Sequence, residues 1–69
     1  MLDENNAELK ELIATYGLSL DDVSAYSDYS LDMVKAWISE PGSQRYRKMQ
    51  DRALRLLKYE IESRKLKPA

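Results

Sequence analysis

Apolar residues recur at helical spacing in several segments of the chain, and short polar stretches separate these segments. Leu9, Leu12 and Tyr16 represent the first segment, because their three- and four-residue spacing places them on one face of a helix. Leu57 and Ile61 belong to the last segment and show the same regular spacing. The pattern predicts helices at about residues 7–16, 20–26, 31–39 and 49–65.

The residues that precede the first three apolar segments are typical helix N-caps. Asn5 or Asn6 is expected to cap the first helix. Ser19 and Ser30 are expected to cap the second and third, because a serine oxygen accepts a hydrogen bond from a first-turn N–H. Asp22 lies three residues after Ser19, which is the spacing of a capping box.

Glycine and proline indicate where the helices end. Gly17 is expected to end the first helix in the left-handed conformation. The residue before Pro41 is disfavoured in the helical region, so the third helix is expected to end there. Residues 42–48 are predicted to form a loop, and residues 66–69 are expected to fray.

Length and composition predict the fold class. The chain has 69 residues, close to the lower limit for a self-supporting core, so a single domain over residues 1–69 is expected. Without cysteine or histidine, neither a disulfide nor a Cys/His zinc site is expected. The predicted fold is all-α, a small bundle of four to five helices. No membrane span or secretory signal is recognisable, so a cytoplasmic protein of a bacterium or phage-infected cell is expected.

Charge is divided unevenly along the chain. Residues 1–40 carry nine acidic and two basic side chains, for a net charge of −7. Residues 41–69 carry nine basic and three acidic side chains, for a net charge of +6. Such a division indicates either a polyanion-binding surface or a complementary head-to-tail contact. The alternative is that both halves merely solvate their helices.

The stretch LSLDDVSAYSDYSLDMVKAWI has the pattern of two short helices joined by a tight turn, the helix-turn-helix motif. Val23 and Val34 are expected to anchor the two helices in the core. Tyr29 is expected to fill the inside of the turn, and Trp37 to close the second helix onto the core. The outer faces of both helices are then free to contact a ligand.

These residues resemble the helix-turn-helix of the Cro/repressor, or XRE-like, family of phage and bacterial regulators. The residues that carry the resemblance are Leu18-Ser19, Asp21-Asp22, Val23, Ser24, Asp28-Tyr29-Ser30, Val34 and Trp37. The following SQRYRKMQDRALRLLKYEI resembles the continuation in small phage regulators, including those associated with anti-CRISPR operons. The resemblance covers residues 7–61 and implies sequence-specific binding of double-stranded DNA. It also implies a homodimer on an inverted-repeat operator, and usually repression.

The chain departs from the family's pattern at the turn and on the expected DNA-binding face. Asp28 replaces the usual turn glycine. Aspartate tolerates the left-handed backbone of such a turn better than most residues do, so the turn is expected to form at some cost. Leu20 stands where the family often has a phosphate-holding glutamine. Leu31 and Asp32 stand where basic or amide side chains often read bases. Most phosphate affinity is therefore expected to come from the polar and basic loop after the third helix.

Candidate DNA-binding residues lie at the two capped helix starts, on the outer face of the third helix and in the loop. Asp32 is expected to accept from a cytosine amino group, Lys35 to contact a guanine or a phosphate, and Leu31 to contact a thymine methyl. Helix N-terminal amides bind anions, and loop arginines contact phosphates or enter a groove. Tyr46 is expected either to stack on the sugar-phosphate backbone or to pack under the fourth helix. The full set is Ser19, Ser30, Leu31, Asp32, Lys35, Ser43, Gln44, Arg45, Tyr46, Arg47 and Lys48.

The fourth helix carries more apolar residues than one contact surface needs. Leu56 and Tyr59 lie off its main apolar face. They are expected to form a homodimer interface, because a small domain rarely leaves such a patch open. The alternative is that they cover the first helix of the same chain.

Two functions are compatible with the sequence. The first is a phage-type transcriptional regulator that binds operator DNA as a homodimer. The second is a protein-protein interaction module or inhibitor, in which the acidic residues Asp21, Asp22, Asp28 and Asp32 dock a basic partner. An enzyme is not expected, because no nucleophile–base pair, metal-ligand set or glycine-rich phosphate loop is recognisable. No cofactor or small-molecule substrate is expected either.

Overall fold

The described part of the chain folds as an all-α bundle. A computed structural model describes residues 3–69, and no strand occurs among them. The all-α class predicted from the sequence is confirmed. The helices are α1 (Glu4–Tyr16), α2 (Leu20–Ser27), α3 (Leu31–Ile38) and α4 (Asp51–Ser63).

Local capping interactions fix the starts of α2 and α3 where the sequence predicts them. The Asp22 N–H donates to Ser19 Oγ at 3.0 Å, and the Ser19 N–H donates to Asp22 Oδ2 at 3.0 Å. This pair of bonds is a complete capping box. At α3, the Met33 N–H donates to Ser30 Oγ at 3.2 Å. A serine cap of this kind stabilises a helix by about 1 kcal/mol.

Left-handed residues end α1 and α2. Gly17 and Asp28 both have a φ of 63°. The Gly17 N–H donates to the Ile13 carbonyl, and the Asp28 N–H donates to the Ser24 carbonyl. Glycine adopts this conformation without strain, whereas an aspartate side chain does so at some cost. The turn after α2 therefore forms without the glycine that the family pattern has there.

The starts of α1 and α4 differ from the sequence prediction. Asp3 precedes the first turn of α1, so Asn5 and Asn6 lie inside the helix instead of capping it. α4 begins at Asp51 instead of residue 49, because the Met49 backbone is bonded to α1. The Met49 N–H donates to Asn6 Oδ1 at 2.9 Å, and its carbonyl accepts from Asn5 Nδ2 at 3.0 Å. The Met49 carbonyl accepts from Asn5 and not from a later N–H of α4, so the helix starts after it.

The residues after α4 lie against the bundle and do not fray as expected. α4 ends at Ser63, and Lys65 takes a φ of 56°. The Leu66 N–H then donates to the Ile61 carbonyl at 3.1 Å, and the Leu66 side chain packs against the core. The Ala69 N–H donates to the Thr15 carbonyl at 2.7 Å, which holds the tail against α1.

Packing places α1 and α4 side by side, running in the same direction. Asn5 Nδ2 donates to Asp51 Oδ1 near the start of both helices, and an ion pair joins Glu8 to Lys58 further along. α2 packs against both α4 and α3, and α1 also contacts α3. The buried apolar core consists of Leu9, Leu18, Val23, Val34, Trp37, Met49, Ala53, Leu54, Leu57 and Ile61.

Candidate nucleic-acid interface

The turn between α2 and α3 is closed by hydrogen bonds and by an aromatic contact. Ser24 Oγ donates to the Tyr29 carbonyl at 2.6 Å. The Tyr29 ring meets the Trp37 ring edge-on, with the ring centroids 5.2 Å apart. Tyr29 therefore lies on the inside of the turn, as the sequence predicts. These contacts hold α3 at a defined angle to α2.

α3 has a buried face and a solvent face. Val34 and Trp37 are fully buried in the core. Asp32 and Lys35 are exposed, and Leu31 is half-buried at the start of the helix. The inner and outer positions agree with the sequence prediction, so Asp32 and Lys35, two of the three side chains proposed to read bases, face solvent.

The start of α3 and the loop after it share one shallow groove. The groove has a volume of about 340 Å³ and is open to solvent. The Arg47 N–H donates to the Ala36 carbonyl at 3.2 Å, which anchors the loop beside α3. Two arginines of the loop thereby face the α3 positions that the sequence predicts to contact DNA. The groove is lined by Ser30, Asp32, Met33, Ala36, Arg45 and Arg47.

Asn6, which the sequence analysis interpreted only as a helix cap, fixes the position of this loop. It is fully buried, and its Nδ2 donates to the Trp37 carbonyl and to the Arg47 carbonyl, each at 2.9 Å. Its Oδ1 accepts from the Met49 N–H at 2.9 Å. One side chain therefore joins α1 to the end of α3 and to two residues, Arg47 and Met49, just before α4. The signal in the sequence was its position three residues before Leu9, on the inner face of α1.

Arg45 and Arg47 differ in how their guanidinium groups are held. Arg47 Nη1 donates to the Gln44 carbonyl at 3.0 Å and to the Tyr46 carbonyl at 2.8 Å, so this side chain braces its own loop. Arg45 is exposed on the groove and makes no hydrogen bond or ion pair within residues 3–69. Arg45 is therefore the more accessible cation for an anionic ligand.

Tyr46 makes a contact that neither alternative from the sequence includes. It is half-buried, and its hydroxyl donates to Asp3 Oδ2 at 2.6 Å. This hydrogen bond to a carboxylate raises the pKa of Tyr46 above its ordinary value of 10.0, because it stabilises the protonated phenol. Tyr46 thus ties the loop to the start of α1.

The remaining candidate residues lie at different places around the groove. Ser43 and Gln44 are exposed in the loop. Lys48 lies on another side, in depressions that it shares with Asp3, Glu4 and Asp51. The structure therefore does not bring Lys48 together with the two loop arginines.

Ser19, at the start of α2, does not line the groove. Its backbone N–H and side chain are both bonded to Asp22, whose carboxylate occupies the position a phosphate would take. Ser30 has no such internal carboxylate partner within the described residues, and it does line the groove. Of the two predicted anion sites, the start of α3 is the more accessible.

The two residues predicted to form a dimer interface are only partly covered by their own chain. Tyr59 is 66% exposed, which makes it the one exposed large hydrophobic side chain among residues 3–69. Leu56 is half-buried on α4. The exposure of Tyr59 leaves most of its ring available to a second copy of the chain.

No protein-family model, curated protein or solved structure matches the chain. Within residues 3–69, no cluster of acidic side chains is suited to hold a metal ion. None of the helices described is both long enough and apolar enough to cross a membrane.

Proposed function

We propose that this protein is a sequence-specific, double-stranded DNA-binding transcriptional regulator of phage type that acts as a homodimeric repressor. The observation that carries the proposal is the groove in which the exposed start of α3 meets Arg45 and Arg47. A closed turn that presents a short helix beside cationic side chains is the arrangement of helix-turn-helix DNA-binding proteins. The resemblance of residues 18–38 to the Cro/repressor family supports the same function.

In this proposal α3 enters the major groove and the loop contacts the backbone. Asp32 accepts from a cytosine amino group, Lys35 donates to a guanine or a phosphate, and Leu31 contacts a thymine methyl. Each well-formed base contact discriminates against a wrong base by about 1–3 kcal/mol. Arg45 contacts a phosphate and so adds affinity that does not depend on the DNA sequence. Arg47 braces the loop and adds to its positive charge.

The test is a binding titration of the purified protein on its own upstream DNA, because small phage regulators of the resembled type commonly control their own promoters. We expect the logarithm of the binding constant to fall linearly with the logarithm of the salt concentration. Arg45→Glu should abolish binding at moderate salt, since it puts a negative charge beside a phosphate. Lys67→Glu, the same charge change in the exposed tail, is the matched control and should leave most affinity intact.

The homodimer part of the proposal involves Leu56 and Tyr59 on α4. Two copies related by a two-fold axis present two α3 helices to half-sites about 34 Å apart, one turn of DNA. An inverted-repeat operator has the same two-fold symmetry. A regulator without catalytic residues or cofactor is expected to act by this binding alone.

A protein-binding module is the second candidate, and a specific observation favours it. Asp21, Asp28 and Asp32 are all exposed around α2, the turn and the start of α3, on the side proposed to face DNA. Such acids repel phosphates and attract a basic protein partner. If Asp21→Lys and Asp28→Lys strengthen duplex binding while Arg45→Glu abolishes it, the regulator is supported. If Arg45→Glu changes nothing and the purified protein ignores duplex DNA at low salt, the regulator is rejected and the module remains.

A further inference from the structure

One stripe of side chains on α4 is exposed to solvent and has no polar partner in its own chain within residues 3–69. Arg52, Arg55, Tyr59 and Glu62 are exposed, and their side chains form no hydrogen bond or ion pair within residues 3–69. Other charged side chains of the same helix do have partners. Lys58 pairs with Glu8 on α1, for example. The polar groups of the stripe therefore have no hydrogen-bond or ion-pair partner among residues 3–69, although Glu62 borders a depression between α4 and α1.

The spacing of these residues follows a single line along the helix. The intervals between residues 52, 55, 59 and 62 are three, four and three, which places the side chains on one face. The same spacing places side chains along the line of contact in paired helices, where they are usually apolar, so pairing through this stripe has to come from its charges and from Tyr59. The stripe has two arginines at one end and a glutamate at the other, so one end is positively charged and the other is negatively charged.

We propose that two copies of the chain pair through this stripe, with their α4 helices antiparallel about a two-fold axis near position 57. In that register Arg52 faces Glu62 of the partner subunit, and Arg55 faces Tyr59 of the partner subunit. The two-fold axis repeats both contacts, so each pairing occurs twice. Leu56, half-buried in one chain, then lies near the axis against its own copy.

Charge complementarity selects this arrangement over the parallel one. Parallel helices in register would place Arg52 against Arg52 and Arg55 against Arg55, which is repulsive. The antiparallel register replaces these contacts with an ion pair and with an arginine stacked on a tyrosine ring, a favourable cation–π contact. The glutamate at the far end also makes the stripe a poorer surface for a polyanion than for a second copy of itself.

The area available sets the expected strength of the dimer. α4 has 13 residues, so two such helices bury less surface than a standard protein–protein interface. We expect a reversible dimer that dissociates on dilution and that operator DNA stabilises by holding two copies together. The inference rests on the homodimer of the proposed function, but it is tested without DNA, so a failure of DNA binding does not affect it.

The test is a charge exchange, measured by sedimentation equilibrium of the full chain. Arg52→Glu and Glu62→Arg each create two like-charge contacts across the axis, so each should weaken dimerisation by about tenfold or more. The double variant R52E/E62R restores opposite charges at both contacts and should return the dissociation constant to within about threefold of the original. Ten residues along a helix span about 15 Å, so this recovery cannot arise within one chain.

Lys67→Glu is the control for net charge and should leave dimerisation unchanged. Circular dichroism checks that each variant keeps its helices, which is expected because both positions are exposed. Failure of the double variant to recover would overturn the register. A wild-type protein that remains monomeric at about millimolar concentration would overturn the dimer itself. Loss of DNA affinity on Arg52→Glu without any effect on association would assign the stripe to DNA and likewise overturn the proposal.

Discussion

At the residue scale, Asn6 determines more of the structure than any other polar side chain among residues 3–69. It uses both amide hydrogens and its oxygen on three backbone groups that belong to Trp37, Arg47 and Met49. All three partners come from segments more than 30 positions away, since the sequence separations are 31, 41 and 43. A fully buried amide is tolerated in an apolar core only when its hydrogen bonds are satisfied in this way.

Replacement of Asn6 by alanine should therefore destabilise the protein strongly. The change leaves two carbonyls and one N–H buried without partners, and each such group costs about 1–3 kcal/mol. We expect a loss of about 3 kcal/mol or more, which is a large part of the roughly 3–10 kcal/mol typical of a domain this size. Urea denaturation followed by circular dichroism measures the change in the free energy of unfolding.

The neighbouring Asn5→Ala is the matched control. Asn5 is half-buried and donates to the Met49 carbonyl and to an exposed carboxylate, so its removal should cost about 1 kcal/mol. Hydrogen exchange gives a second measurement on the wild-type protein, where the Met49 amide should be strongly protected. Equal losses in the two variants, or rapid exchange at Met49, would contradict the role given to Asn6.

At the scale of the elements, the sequence predicts best what depends on neighbours along the chain. The starts of α2 and α3 are correct because Ser19 and Ser30 bond to backbone groups three residues away. The left-handed ends at Gly17 and Asp28 are correct for the same reason. The inner face of α3 follows from its apolar spacing, so Val34 and Trp37 are buried as predicted.

What the sequence does not predict depends on bonds between distant segments. α4 starts later than its apolar pattern suggests, because Asn5 and Asn6 hold the Met49 backbone. The candidate site shows the same division. The solvent face of α3 is predictable, whereas nothing local indicates that Arg47 braces its loop or that Tyr46 reaches Asp3. The separation of Lys48 from the groove is likewise a consequence of tertiary structure.

The hydrogen bond between Tyr46 and Asp3, which couples the loop to α1, should make the free energy of unfolding depend on pH in the alkaline range. Because the pKa of Tyr46 is raised in the folded state, the folded protein holds this proton more tightly than the unfolded chain does. The stabilisation is complete below the unfolded value of 10.0 and is lost as the pH rises through the higher folded value. The free energy of unfolding should therefore fall above that pH.

Tyr46→Phe isolates this contribution from the other tyrosines, which titrate in both proteins. The wild-type protein should be more stable than the variant at neutral pH, and the difference should shrink at strongly alkaline pH. Chemical denaturation of both proteins across the alkaline range gives the difference directly. A difference that stays constant with pH would show that the Tyr46 hydroxyl does not depend on the Asp3 carboxylate.

At the scale of the whole molecule, the division of charge becomes a spatial arrangement. α1 carries three acidic side chains and one basic one, whereas α4 carries three of each and has no net charge. The Glu8–Lys58 ion pair joins the two helices. The excess of basic side chains lies in the loop before α4 and in the tail after it. Arg45 on the groove and the two arginines of the α4 stripe are among the exposed cations that form no ion pair within residues 3–69. In the proposed assembly Arg45 contacts a phosphate, and the two arginines of the α4 stripe contact a second copy of the chain.

A reversible dimer makes the thermal stability of so small a domain depend on concentration. Association stabilises the folded state by mass action, because only folded chains present the α4 stripe. Each 1 kcal/mol gained per chain raises Tm by about 4–8 °C in a domain this size. We therefore expect Tm to rise by several degrees when the protein concentration increases about a hundredfold. Calorimetry should find little rise in Arg52→Glu and a recovered rise in R52E/E62R, whereas a Tm independent of concentration in the wild-type protein would mean that its chains fold and act alone.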